Sequence, residues 1–170
     1  MDDNKINRNA LTFIGLATEY CGTLEQAQEL EREEFIDNML RLLPRLYITM
    51  SDVRPDTASQ LEEFEPLGTY VEESHYEQIR ASIATLLGED DTYLETFEED
   101  MKYSDTPIAA SISEGLADIY QDLANFLTPV RDSEGALTEA AIAECRENFA
   151  AYWAQTLTNV MRPLNHLHFQ

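Results

Sequence analysis

Apolar residues recur along this chain at intervals of three and four, the spacing that gathers them on one face of an α-helix. The first such run, from about Asn7 to Tyr20, places Ala10, Leu11, Phe13, Ile14 and Ala17 on one face, with Gly22 as its stop. From Glu25 to Met50 a long acidic helix turns apolar in its second half through Phe35, Ile36, Met39, Leu40, Leu43, Leu46 and Tyr47. Pro44 removes the hydrogen bond to the carbonyl of Leu40 and clashes with it, so a kink or a split is expected there. Residues 51–73 hold Pro55, Pro66 and Gly68 among many acids and read as an acidic loop, tethered to the core by Leu61, Phe64, Leu67, Tyr70 and Val71. A third helix spans about Ser74 to Leu87, with Tyr76, Ile79, Ile83 and Leu86 inward and Gly88 as C-cap. A shorter fourth is expected from Thr92 to Lys102.

Thr106 as N-cap and Pro107 in the first turn open a fifth helix, which Thr128 and Pro129 are expected to end. Thr138 then caps a sixth that runs to about Arg162, leaving 163–170 as a tail. Nothing alternates with a period of two and no Asn-Gly or Asp-Gly hairpin signal occurs, so strands are not expected. The predicted class is all-α: one domain over residues 1–170, a bundle of five to seven mostly antiparallel helices.

Composition narrows the choice of partner. A chain of 170 residues with 44% hydrophobic content suits a single domain that buries roughly 70% of its unfolded surface. Its net charge of -22, from 33 acidic against 11 basic residues, disfavours nucleic acid and anionic membrane surfaces. Residues 52–100 hold fifteen Asp and Glu against Arg54 and Arg80 alone, a surface suited to a basic protein. No window approaches the roughly 18 apolar residues of a membrane span, and Met1-Asp2-Asp3 carries no basic leader. Cys21 and Cys145 fall in helical patterns and are expected as buried, reduced thiols, which together point to the cytoplasm.

Candidate chemistry is confined to the fifth helix, where Glu114, Asp118 and Asp122 stand at i, i+4 and i+8. At ~100° per residue Ile108, Ile112, Leu116, Ile119, Tyr120, Leu123, Phe126 and Leu127 form a wide core face. Ala110, Ala117 and Ala124 make a small-residue seam, and the acids share the remaining sector with Ser111, Gln121 and Asn125. Facing solvent, this strip is inert, and that is the expectation. Walled into a cleft, Glu114, Asp118 and Asp122 would instead share Mg²⁺ or Mn²⁺ through oxygen ligands. On the sixth helix Trp153 sits mid-stripe with Phe149, Leu157, Val160 and Leu164 and is expected in the core. Cys145 lacks a neighbouring His or Lys and reads as a buried thiol. His75, His166 and His168 are scattered, and phosphate-loop, Cys-x-x-Cys, His-Glu-x-x-His and Gly-x-Ser-x-Gly signatures are absent.

Three stretches carry a resemblance: Leu42-Leu43-Pro44-Arg45-Leu46-Tyr47, the run from Leu116 through Asp118, Tyr120 and Asp122 to Leu123, and Phe149-Ala150-Ala151-Tyr152-Trp153-Ala154. In order and spacing they resemble an uncharacterised bacterial all-helical family, domain of unknown function 5063, over most of the chain. The resemblance implies a single helical domain, marks Asp118, Tyr120, Asp122 and Trp153 as motif positions, and brings no activity. The family often sets a histidine beside the tryptophan, where this chain has Tyr152. A second resemblance is to all-α nucleoside triphosphate pyrophosphatases, through Glu33-Glu34-Phe35-Ile36-Asp37 and Glu114-Gly115-Leu116-Ala117-Asp118. The second motif is one residue too long, and the two lie about 80 residues apart rather than on neighbouring helices.

The function expected from the sequence is therefore a non-enzymatic, acidic, helical protein-interaction domain of a bacterial cytoplasmic protein, with another protein, basic in character, as partner and no cofactor. The alternative is a pyrophosphatase-like nucleotide hydrolase using Mg²⁺ or Mn²⁺ on Glu114, Asp118 and Asp122, with Glu33, Glu34 and Asp37 added. A third reading, an acidic nucleic-acid mimic, rests on charge alone.

Overall fold

A computed structural model describes residues 3–53, 67–95 and 108–170 of the chain. Helix α1 (Asp3–Glu25) leads through a 3-10 turn (Ala27–Glu29) into α2 (Arg32–Asp52). Helix α3 (Glu73–Leu87) and a second 3-10 turn (Gly88–Asp91) precede β1 (Thr92–Leu94), which pairs antiparallel with β2 (Ala109–Ser111). Helices α4 (Ile112–Asp132), α5 (Thr138–Asn148) and α6 (Ala154–His168) follow, the last two joined without a break by a π turn (Phe149–Trp153). The class is all-α, as the apolar spacing predicts.

Several of the expected boundaries move, each for a physical reason. Gly22 does not stop α1, which continues to Glu25 because Cys21 and Leu24 still face the core. The first two helices instead separate at Leu30 and Glu31, whose backbones are extended. Pro44, Pro129 and Pro163 all lie inside helices. An interior proline costs ~3 kcal/mol. Around Pro44, Leu42, Leu43, Leu46 and Met50 are buried, each worth roughly 1.5–3 kcal/mol, so packing outweighs the lost bond. For the same reason 163–170 is mostly helix rather than tail, with Leu164 fully buried. Thr92 to Leu94 is a strand, not the start of a helix, and its partner Ala109–Ser111 displaces the start of α4 to Ile112. The expected cap at Thr106 and Pro107, and most of the 51–73 loop, lie outside the described residues.

All the described helices contribute to one core. Phe13 of α1 lies 5.1 Å from Phe126 of α4 and 6.2 Å from Trp153, whose ring is in turn 4.5 Å from Phe149. Trp153 is 1% exposed, as its place in the stripe predicts, and its indole N–H donates to the carbonyl of Cys145 at 3.2 Å. Leu11 does not join this core and is exposed. Polar ties fix the elements on one another. The buried Tyr20 hydroxyl donates to the carbonyl of Leu116 at 2.7 Å, Arg146 donates to the carbonyl of Met50, and Arg32 pairs with Asp90 while donating to the carbonyl of Leu87 at 3.3 Å. Asn9 donates to the carbonyl of Asp52 at 3.4 Å, setting the start of α1 beside the end of α2, so those two run antiparallel.

Helix α4 comes close to α6 at Gly115, where an added Cβ would sit 2.3 Å from Cγ1 of Val160. Replacing Gly115 with Ala is expected to destabilise the protein by roughly 1–3 kcal/mol through overpacking, despite the better helix propensity of alanine. In a Val160→Ala background the same change should become neutral or stabilising, because the clashing methyl is gone. Urea denaturation of the four proteins measures the coupling; additive effects would show that the contact is not tight.

Candidate functional site

The start of α4 is held twice. Ser111 caps it by accepting from the Glu114 N–H at 3.3 Å, and the buried carboxylate of Asp91 accepts from Ser113 N–H at 2.7 Å and Ser113 hydroxyl at 2.6 Å. A carboxylate at this position satisfies amides the helix cannot and interacts favourably with its dipole. From this fixed start the buried face follows as predicted: Ile112, Leu116, Ile119, Tyr120, Leu123, Phe126 and Leu127 are all buried. The polar sector points the other way.

That sector is the floor of a cleft rather than a plain solvent strip. Glu114, Gly115, Asp118, Gln121 and Asp122 line a hollow of about 510 Å³. Its opposite wall is Tyr152, Gln155, Thr156 and Asn159 from the π turn and α6, and the hairpin adds Tyr93, Glu95, Ala110 and Ser111. A second hollow of about 410 Å³ shares Gln121 and Asp122 and continues along α4 to Asn125, with Glu144, Cys145 and Asn148 of α5 and Gly68 and Thr69 on its other sides. Among the described residues no Lys, Arg or His lines either one. Of the four motif positions, Asp118, Asp122 and Trp153 reach this cleft. Tyr120 faces elsewhere: its hydroxyl donates to Glu25 at 2.8 Å and lies 3.2 Å from Nε2 of His75.

Charge in the cleft is held at a cost. Burial raises the Asp122 carboxyl to about 6, with the Asp118 charge adding to the effect. Burial also raises Asp118, against the hydrogen bond that the Tyr76 hydroxyl donates to its Oδ1 at 2.6 Å, while Glu114 pushes it further up. Burial drives the Cys145 thiol well above the ordinary range, reinforced by Asp122 and Glu144, so it is a neutral thiol and a poor nucleophile.

The alternative metal set, Glu114, Asp118 and Asp122, is spread along one helix. Among the described residues no three His, Cys, Asp or Glu side chains are placed to hold a metal ion. Residues at i and i+8 on a helix are separated by ~12 Å along its axis, and one oxygen of Asp118 is already taken by Tyr76. Glu33 and Glu34 are exposed on α2, and Asp37 pairs with Arg41 at 3.0 Å on its own helix rather than reaching α4. The second wall, which the sequence reading missed, had a signal: Tyr152, Gln155, Thr156 and Asn159 stand at i, i+3, i+4 and i+7, one polar face.

These features define an all-α bundle with an acidic cleft between its central and C-terminal helices. The pattern of a family of domains of unknown function (DUF5063) matches residues 4–170, and the chain belongs to that family. The crystal structure of protein BF1032 from Bacteroides fragilis is similar, with 33% sequence identity and a TM-score of 0.77 over 94% of this chain and 91% of that one. No curated protein matches this chain.

The raised carboxyl of Asp122 sets a sign for stability. A group with a raised folded pKa contributes stability below its unfolded value, 3.8, and that contribution is lost as pH rises through about 6. Asp122→Asn is therefore expected to melt higher than the native chain near neutral pH, by roughly 1–2 kcal/mol after discounting for partial exposure. The advantage should vanish by about pH 4. Parallel melting curves for the two proteins across that range would refute the assignment.

Proposed function

We propose that this chain is a non-enzymatic protein-interaction domain of the bacterial cytoplasm whose cleft takes up a basic segment of a partner protein. The observation that carries this reading is the convergence of Glu95, Glu114, Asp118, Asp122 and Glu144 on two adjoining hollows that have no basic residue among the described residues of their walls. Asp118 and Asp122, partly buried in this cleft, hold their protons too tightly, and a cationic side chain entering beside them relieves that cost. The amides of Gln121, Asn125, Asn148, Gln155 and Asn159 suit the polar backbone of a peptide, and Tyr152 offers a ring face to an ammonium or guanidinium. Tyr152 is 69% exposed, so its ring is open to such a contact.

This reading moves the contact surface away from most of residues 52–100. That stretch contributes Gly68, Thr69, Tyr93 and Glu95 to the cleft walls. Mg²⁺-dependent hydrolysis is the weaker alternative, because the acids offered for it are spread along α4 and α2.

A fluorescein-labelled octalysine peptide should bind with a Kd in the micromolar range at low salt and progressively more weakly as salt rises. Asp118→Asn with Asp122→Asn should lower affinity about tenfold or more, since each removes a partly desolvated charge. An octaglutamate control should not bind. Absence of octalysine binding at low salt would sink the proposal, as would Mg²⁺-dependent turnover of a nucleoside triphosphate panel that Asp118→Asn abolishes.

A further inference from the structure

Residues 67–72 run without helix or strand structure into the start of α3, and an extended stretch in a helical bundle must find acceptors for its amides. Three of them find side chains, not backbone. The Tyr70 and Val71 N–H groups donate to Oδ1 of Asn125 at 2.7 and 3.2 Å, and the Leu67 N–H donates to Oε2 of Glu144 at 3.3 Å. Asn125 and Glu144 both line the second hollow, and Gly68 and Thr69 close it from outside. Leu67 and Val71 rest partly buried on the core, while the Tyr70 hydroxyl folds back to donate to the carbonyl of Leu67 at 2.8 Å. The segment is thus held as a separate peptide would be, by main-chain donors on side-chain acceptors and by two apolar anchors.

Its charge is wrong for the place it occupies. Residues 67–72 read Leu-Gly-Thr-Tyr-Val-Glu, with no cation, and lie against a cleft whose charged lining groups, among the described residues, are all carboxylates. A basic segment brings the same amide donors and adds the missing counter-charge, so electrostatics favour it over the resident segment. We propose that residues 67–72 form a displaceable strap, an in-chain wall across the second hollow that a basic partner segment must push aside. This rests on the cleft being the partner-binding surface, and adds that the chain lowers its own affinity until the strap is released. Apparent affinity then equals the intrinsic affinity scaled by the fraction of molecules with the strap open.

The strap can be loosened without touching the cleft. Tyr70→Pro deletes one of the two amides donating to Asn125, and Leu67→Ala trims an apolar anchor. Fluorescein-labelled octalysine is titrated into the native chain and both variants, with hydrogen exchange of residues 67–72 followed in the native chain. The expected result is binding tightened about fivefold or more in the variants, with exchange at Tyr70 and Val71 accelerated when peptide is added. If the native chain binds octalysine but neither variant binds it more tightly and exchange in the strap is unchanged, the strap is a fixed part of the fold and this proposal fails while the cleft reading stands. If neither the native chain nor a variant binds, both fail. Binding confined to the variants supports the strap. Should Tyr70→Pro not fold, Leu67→Ala and the exchange measurement decide between the same outcomes.

Discussion

How closely α4 can lie against α6 is decided at Gly115, and the shape of the cleft follows from it. With no side chain there, Val160 occupies the space that a Cβ would fill, bringing two backbones within reach that larger residues would hold apart. Gly115 and Thr156 also line the cleft, so the point of tightest packing is its edge. Beyond it the opposing residues are polar and do not interdigitate, and the walls part. The alanines of the predicted seam are not what sets this distance: Ala117 is buried in the core and Ala110 belongs to β2. The glycine between Glu114 and Leu116 is.

A cleft of this kind works against the fold that carries it. The described helices bury an apolar core around Phe13, Phe126 and Trp153, yet the same central helix keeps Asp118 and Asp122 partly out of water with no cation beside them among the described residues. Sites that bind charged ligands commonly retain such destabilising groups, because stability could be gained only by losing the interaction. The Tyr76 hydroxyl bonded to Asp118 is a partial remedy, since it donates to the charged carboxylate without bringing a charge of its own.

Most of the helical architecture was legible in the sequence, and the departures have one cause. The apolar spacing locates the buried faces of α2, α3, α4 and α6 because those faces contact the core continuously. It fails where local rules meet tertiary packing. Gly22 and the three interior prolines are strong local stop signals, yet each sits in a stretch whose neighbours are deeply buried. The strand at Thr92–Leu94 depends on pairing with Ala109–Ser111, a contact that no local window contains. The candidate site was legible by halves. Glu114, Asp118 and Asp122 could be placed on one polar sector from periodicity alone, but that a second polar face closes over them depends on how α6 docks. The roles of Asn125 and Glu144 in holding residues 67–72 had no sequence signal, since each is an ordinary polar residue until the chain folds back on it.

The π turn has a consequence for chain length. Its closing bond, from the Ala154 N–H to the carbonyl of Phe149, spans one residue more than an α-helical bond. The surplus falls on the solvent side, where Ala150, Ala151 and Tyr152 are exposed, while Phe149 and Trp153 remain buried on either side. Removing one of the two alanines would let the helix close normally, with Phe149 and Trp153 then at i and i+3 and both still in reach of the core. Tyr152, one residue before the anchored Trp153, would keep nearly its present direction toward the cleft. An insertion or deletion, ordinarily ruinous inside a helix, is here absorbed on the solvent side of the scaffold.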